Sequence, residues 1–553
     1  MSVRAIKHPF GKSSGGWVVT KWLAIVFGSA VSLAVLWYST LPLGIPGEWT
    51  WERSAAEPDA FWNLCGGAVA ASLFIGFILQ GRRRFENESN AKRYPGELAI
   101  WLAGLVAFSF VWLWIVQEIS PIKNRLGKSA FVLYYPSSSG YFTRARYDEP
   151  RTSALLAGYE NLMREGDVLH TGTHPPGLFL VFQALIAACD ASPQLSSVLD
   201  ATQSSSFREA CDVIASNAPR GSMPRQLLPL DRRVLWLATL LAMLSASLTV
   251  VPLYGLLRRS TSMANAWTAA VLWPATPAVA IFIPKSDAVF PLIGVTLLWL
   301  WLVAWDGRSL IRAFVTGLLT WCGLMCSLAF LPIVLLGGIL TVGWALLCRI
   351  KPGGTTASNG SPPNSSSLID VRRAMCLVVA GLGFAIPTWA LWHYTQLNML
   401  NVWWLNYRNH AGFYHQYART YWKWLLVNPL ELSFAAGWPI SLLALVTCWQ
   451  TLSRFRHRGD SIERTQFLSV VGGVLFVWGM LWLTGKNSGE AARLWILFLP
   501  WLIWLASFEI DSQMAAIPTT DGRQRTTIAL LAIQFAVCLL TVARVNGFHM
   551  ESG

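Results

Sequence analysis

Five short stretches carry side chains whose types and spacing could do chemistry. Tyr147-Asp148-Glu149 and Gly166-Asp167 supply carboxylates. Thr173-His174-Pro175-Pro176-Gly177 sets a histidine just ahead of the apolar run LFLVFQALIAAC. Pro284-Lys285-Ser286-Asp287 joins a cation to an acid, and the stretch Gly485 to Arg493 (GKNSGEAAR) offers Lys486 and Arg493. A carboxylate within reach of a hydroxyl can take its proton, and Asp148, Glu149, Asp167 and Asp287 are the candidate carboxylates. His174, Lys285, Lys486 and Arg493 could hold a phosphate, which calls for cations or N–H donors. Taken singly, each residue has a plainer reading. An interfacial Lys or Arg is usually a snorkelling anchor, and a loop acid is usually solvated.

The histidine stretch says most about position. Pro175 and Pro176 suit the first turn of a helix, where the missing N–H groups cost nothing. Thr173 or His174 could cap that turn. The positive end of the helix dipole would then face the polar loop upstream, and a phosphate held there would meet His174 as well.

The elements that must position these residues are apolar. The 553-residue chain is 54% hydrophobic and only 13% charged, with 30 Trp and a mean hydropathy of +0.44. A water-soluble protein of this length would need more charge on its surface. The apolar residues also fall in blocks of bilayer-spanning length. The sequence predicts an all-α polytopic membrane protein with about thirteen spans. They are 22–42, 61–80, 98–118, 233–256, 264–283, 288–306, 312–327, 328–348, 374–393, 429–449, 466–484, 491–508 and 526–543. The net charge of +14 belongs mostly to residues flanking these blocks, and no basic stripe with interleaved aromatics suggests nucleic acid.

Positive-inside then predicts a cytoplasmic N-terminus (Arg4, Lys7, Lys12, Lys21) and cytoplasmic loops at Arg82-Arg83-Arg84, Arg258-Arg259, Arg372-Arg373 and Arg454 to Arg458. The polar outer segments are 119–232, 284–287, 394–428 and 485–493. This orientation holds only if 177–189 does not span, since a span there would invert every later loop. At 1.5 Å per residue the segment is about 20 Å long, against a hydrocarbon core of about 30 Å. It reads as a juxtamembrane or re-entrant helix; the other reading is a span extended past Asp190. Few ionisable residues fall within the blocks: Glu118, Asp306, His393, Glu431 and Glu509 sit at or near their ends. A dry interior with polar outer loops suggests a site at the outer face, fed from the lipid and from outside. Cys189 and Cys211 share the long outer loop and form a candidate disulfide, while most of the other cysteines lie in or beside apolar blocks.

In this order, Tyr147-Asp148-Glu149, Gly166-Asp167, Thr173-His174-Pro175-Pro176-Gly177 and Asp287 in PKSDAVF resemble the pattern of GT-C class membrane glycosyltransferases. That class includes the protein O-mannosyltransferases, the lipid A aminoarabinose transferases and the RgtA/B/C/D-like bacterial enzymes. Arg232-Arg233 and Val251 to Arg259 are similar to its next span, and Gly485 to Pro500 to a later loop. The resemblance covers roughly 98–310. About thirty residues separate Glu118 from Asp148, where the family's acid comes soon after its span, so Glu118 is a rival. The segment 190–232 looks like an insertion.

The resemblance implies a GT-C-like catalytic module over 98–348, with juxtamembrane helices in loop 119–232. Residues 1–97 would add an N-terminal cytoplasmic segment and two extra spans. Residues 349–373 form a Gly/Ser/Pro-rich linker, and 374–553 a C-terminal membrane region with loop 394–428. The implied reaction is an inverting transfer of a sugar from a polyprenyl-phosphate donor to a glycan, lipid or protein acceptor. Asp148 or Glu149 would be the base, Asp287 together with Asp167 would orient the acceptor or hold a divalent metal if one is used, and His174 and Arg493 would lie near the phosphate. The aromatic loop 394–428 could stack sugars or form an interfacial Trp/Tyr belt. Sequons at Asn87 and Asn364 fall in expected cytoplasmic loops, which favours a bacterial inner membrane. Two other classes stay open: a lipid-sugar flippase or transporter, and a non-catalytic membrane subunit.

Overall fold

The computed structural model describes residues 15–55, 57–86, 95–168, 171–217, 227–343, 371–454, 462–486 and 488–548. The 349–373 linker falls almost wholly outside these residues, as do both sequons and the basic N-terminal residues before Lys21. The chain is an all-α integral membrane protein. Among the described residues seven helices are long and apolar enough to cross a bilayer: Val19–Tyr38, Ala60–Phe85, Gly96–Glu118, Pro229–Leu257, Ser286–Gly307, Val371–Thr395 and Thr520–Val542. Blocks 312–327, 328–348 and 466–484 appear as the shorter apolar helices Leu310–Cys326, Leu328–Thr341 and Phe467–Leu483. Block 491–508 becomes a short turn, Ala491–Leu494, followed by the helix Leu499–Ala516.

Two expected spans are broken. In 264–283 the helix Met263–Ala270 stops, and a new one, Pro277–Phe282, starts after a turn. Pro274 and Pro277 remove two amide donors there and stop the ladder. Block 429–449 divides at Gly437, whose φ of 89° leaves the helical region, between Tyr421–Ala436 and Trp438–Arg454. Backbone freed at membrane depth must find partners inside the protein. Gln534, fully buried in Thr520–Val542, donates to Ala275 O at 2.8 Å and to Ala436 O at 3.0 Å, so one amide serves both breaks. Trp112 Nε1 donates to Pro274 O at 3.0 Å. Pro429, inside Tyr421–Ala436, cannot donate to Leu425 O, and Trp482 Nε1 takes that carbonyl at 3.0 Å.

Polar groups do penetrate the bundle. Glu509, expected at a span end, lies within Leu499–Ala516, buried and ion-paired with Lys21. Gln450 and Gln513 donate to it at 3.0 and 3.2 Å.

The 119–232 segment is mostly helical: Lys128–Tyr134, Thr152–Arg164, Gly177–Ala191, Pro193–Thr202 and Ser205–Asn217. Gly177–Ala191 is short, and it meets Pro193–Thr202 at a bend of 102°. Cys189 and Cys211 are buried free thiols, so the candidate disulfide is not formed. Loop 394–428 is also largely helix, over Met399–Gln416. A small antiparallel sheet was not foreseen. It orders Leu43–Ile45, Trp49–Arg53 and Val545–Asn546 side by side.

Candidate functional site

The two acid motifs face one cavity. Gly140, at φ 76°, turns the chain into the three-residue helix Tyr141–Thr143 and the single π turn Arg144–Asp148. Such wide turns recur at functional sites because they re-aim side chains. Here the turn brings Arg144 and Asp148 to a cavity of about 220 Å³ that Asp167, Thr143 and Thr171 also line. Asp167 Oδ2 accepts from Thr171 N at 2.7 Å and from the Thr171 hydroxyl. Glu149 is not among the lining residues. Its carbonyl accepts from Gln183 Nε2 at 2.7 Å, which ties the end of the turn to Gly177–Ala191.

The π turn is held from a distance. Asp231, fully buried at the start of Pro229–Leu248, accepts from Arg146 Nε at 2.9 Å, Tyr147 OH at 2.6 Å and Leu228 N at 2.9 Å. Burial and the Asp231 carboxylate push the Tyr147 phenol up, so it stays a donor. The rival acid Glu118 is engaged elsewhere: Ser206 Oγ donates to it at 2.7 Å, and it does not line the cavity.

The His174 stretch is clamped by Met399–Gln416. Asn409 Nδ2 donates to Gly172 O at 2.9 Å, and Asn406 Nδ2 to Gly172 O at 2.9 Å and His174 O at 3.2 Å. Tyr159 OH donates to the same His174 carbonyl at 2.7 Å. The prolines sit one step earlier than expected. Pro176 occupies the cap position, Gly177 opens the helix, and Thr173 and His174 lie ahead of the cap. Thr173 Oγ1 instead contacts His174 Nδ1 at 3.0 Å. A Cβ on Gly177 would meet Met325 O at 2.4 Å, so glycine is required by the close approach of Leu310–Cys326.

The remaining candidates form a second group. Arg493 Nε lies 4.0 Å from Asp287 Oδ2 and its guanidinium pairs with Glu490. Burial works against the Arg493 charge, but Glu490 and Asp287 outweigh it and raise its pKa. Lys285 is turned inward: it is 5% exposed and donates to Ser138 O. Burial, reinforced by Arg493, pulls its pKa down to about 7. Lys486 stands 5.0 Å over the Tyr407 ring. Burial, then Lys486 and His174, push the nearby His410 imidazole down to about 4.

Tyr141 feels the charges of both groups. It is 4% exposed, with its ring 5.6 Å from that of His174 and 5.2 Å from that of Phe179. Burial, then Asp287, raises its phenol well above the usual range, with Asp167 adding to the effect and Arg493 opposing it. Sequence reasoning missed Tyr141, Arg144, Asp231 and His410. Tyr141 and Arg144 carried one signal, their place just before Asp148. Among the described residues no three His, Cys, Asp or Glu side chains cluster as a metal would require.

No family model matches the chain and no curated protein matches it. The solved structures that are similar in part include two archaeal ones. The Archaeoglobus fulgidus oligosaccharyltransferase in complex with zinc and sulfate is 11% identical over 77% of this chain and 53% of that one, with a TM-score of 0.33. The archaeal oligosaccharyltransferase AglB from Archaeoglobus fulgidus, in complex with an inhibitory peptide and a dolichol-phosphate, is 11% identical over 83% and 57%, with a TM-score of 0.37. The chain spans little more than half the length of either. TM-scores this low do not define a common fold, and the functional reading rests on the side chains described above.

Proposed function

We propose that the chain is a membrane glycosyltransferase of the GT-C type. It transfers a sugar from a polyprenyl-phosphate donor to a hydroxyl of a glycan, lipid or protein. The observation that carries this reading is the shared cavity, where Asp148 and Asp167 stand with Arg144. An acid pair beside a cation suits a displacement in which one carboxylate takes the acceptor proton and the cation meets the departing phosphate.

Asp148 is the preferred base, because it lines the cavity and Glu149 does not. The acceptor oxygen attacks the anomeric carbon, the bond to phosphate oxygen breaks, and the phosphate leaves with the electron pair. Configuration inverts in this single displacement. Asp167, held by Thr171, orients the acceptor. Arg144 and Arg493 are the phosphate ligands, with His174 and Lys486 as further donors. Lys285 and Asp287 support the Arg493 turn and do not contact substrate. In the bilayer the site faces outward, with the N-terminus in the cytoplasm of a bacterial inner membrane.

The test uses purified full-length protein in nanodiscs with polyprenyl-phosphate hexose or pentose and a glycan or peptide acceptor. Release of free polyprenyl phosphate is followed by mass spectrometry. Asp148→Asn should lower turnover by about 10²–10⁴-fold, the usual contribution of a general base, while Glu149→Gln keeps it. Equal activity in wild type and Asp148→Asn would remove the site assignment. Donor crossing the bilayer with its sugar still attached would favour a flippase.

A further inference from the structure

Behind Arg493 lies a layer of contacts that this reaction does not use. Arg493 sits in the turn Ala491–Leu494, entered through Glu490 at φ 56°. A non-glycine residue in the left-handed region has to be held there by its surroundings. Besides the Arg493–Glu490 ion pair, the turn is held from outside by Glu431, on Tyr421–Ala436. Its Oε1 accepts the Ala492 N–H at 3.0 Å and the Trp51 indole N–H at 3.2 Å. Glu431 is 8% exposed, and its Oε2 has no hydrogen-bond partner among the described residues. A buried carboxylate with one oxygen unpaired is retained against a desolvation cost, so its position needs a reason.

Trp51 belongs to the hairpin Leu43–Ile45/Trp49–Arg53, and the turn of that hairpin is clamped to the same helix. Glu48 accepts from Thr420 N at 2.8 Å, Thr420 Oγ1 at 2.5 Å and Trp424 Nε1 at 2.7 Å. Arg419 returns a bond to Glu48 O at 2.7 Å. The hairpin thus grips the helix at its start and again at Glu431, and Glu431 passes that grip to the amide beside Arg493.

We propose that Glu431 is a positioning residue that holds the Arg493 turn against Asp287, and that Trp51 makes the N-terminal hairpin a working part of the site. The proposal rests on the reading of Arg493 as a phosphate ligand. Glu431 acts through an acceptor oxygen, so a glutamine can replace it and a leucine cannot.

The experiment uses the full chain in nanodiscs. Hydrogen exchange over 488–495 is measured by mass spectrometry, and farnesyl phosphate binding by tryptophan fluorescence. Loss of one buried acceptor bond in Glu431→Leu should speed exchange in this segment roughly tenfold and weaken farnesyl phosphate binding by a similar factor. Glu431→Gln should restore both to within about twofold, and Trp51→Phe should speed exchange about threefold. Leu499–Ala516 should stay protected in all three. Unchanged exchange in folded Glu431→Leu overturns the proposal, as does a glutamine variant no better than the leucine one. If Glu431→Leu does not fold, unchanged exchange in Trp51→Phe overturns it. Failure of wild type to bind farnesyl phosphate overturns the functional reading instead, while the exchange result still decides the role of Glu431.

Discussion

Asp231→Ala should loosen the turn that aims Asp148 and leave the bundle folded. Asp231 is fully buried and accepts three hydrogen bonds, from Arg146, Tyr147 and Leu228. A bond to an ionised acceptor contributes about 1.5–3 kcal/mol, and the three are not additive. Removing one partner of a buried ion pair costs about 3–5 kcal/mol. The Arg146 side chain is 25% exposed and can turn to solvent, which argues for the lower end. A local cost of about 3 kcal/mol is expected, and at 1.4 kcal/mol per decade that is about a hundredfold in opening of the segment. Asp231→Asn keeps acceptor capacity without the charge, and should lose about half of this. The assay is hydrogen exchange over 141–149, with thermal unfolding followed by tryptophan fluorescence as the control for global damage. Polyprenyl-phosphate sugar turnover should fall alongside exchange protection, because Asp148 is the last residue of the turn. Wild-type exchange over 141–149 in folded Asp231→Ala would refute the idea that this distant carboxylate sets the geometry.

Three further outcomes follow from particular contacts. Gly177→Ala places a Cβ 2.4 Å from Met325 O and should destabilise by about 1–3 kcal/mol, whereas Gly158→Ala, on Thr152–Arg164 with nothing within 4 Å, should stabilise by about 0.5–1 kcal/mol; paired unfolding midpoints check both. Lys285, held down to about 7 by burial and Arg493, binds fewer protons folded than unfolded between that pH and the ordinary lysine range, so wild-type stability should rise with pH there. The advantage of Lys285→Met over wild type should therefore shrink from pH 6 to pH 9, and a constant difference would contradict the burial argument. Gln534→Leu leaves Ala275 O and Ala436 O without that donor and should cost about 2–6 kcal/mol, read as a lower unfolding midpoint in nanodiscs.

The membrane class was legible because apolar block length is a direct physical constraint. The short helix after Pro176 was legible for the same reason, as an apolar run of less than spanning length. The acids at 148 and 167 could be picked out as chemistry, but their common cavity could not. It depends on a left-handed Gly140, a π turn and a carboxylate 84 residues beyond Tyr147. Lys285 reads in sequence as an interfacial cation, yet a carbonyl 147 residues earlier draws it inward. The break in 264–283 had a visible signal in Pro274 and Pro277, which block hydropathy hides. The sheet of Leu43–Ile45, Trp49–Arg53 and Val545–Asn546 joins distant ends of the chain, so no local pattern announces it.

Gln534 also fixes an order of events. The ribosome delivers Ala275 to the membrane long before residue 534 exists, and Ala436 follows still ahead of it. Until the helix Thr520–Val542 inserts, two carbonyls in the middle of the bundle lack their donor, and hydrocarbon offers none. These two carbonyls gain that donor only when one of the last helices of the chain joins the others. In the finished fold one amide side chain from a late helix acts as the clasp on two earlier breaks.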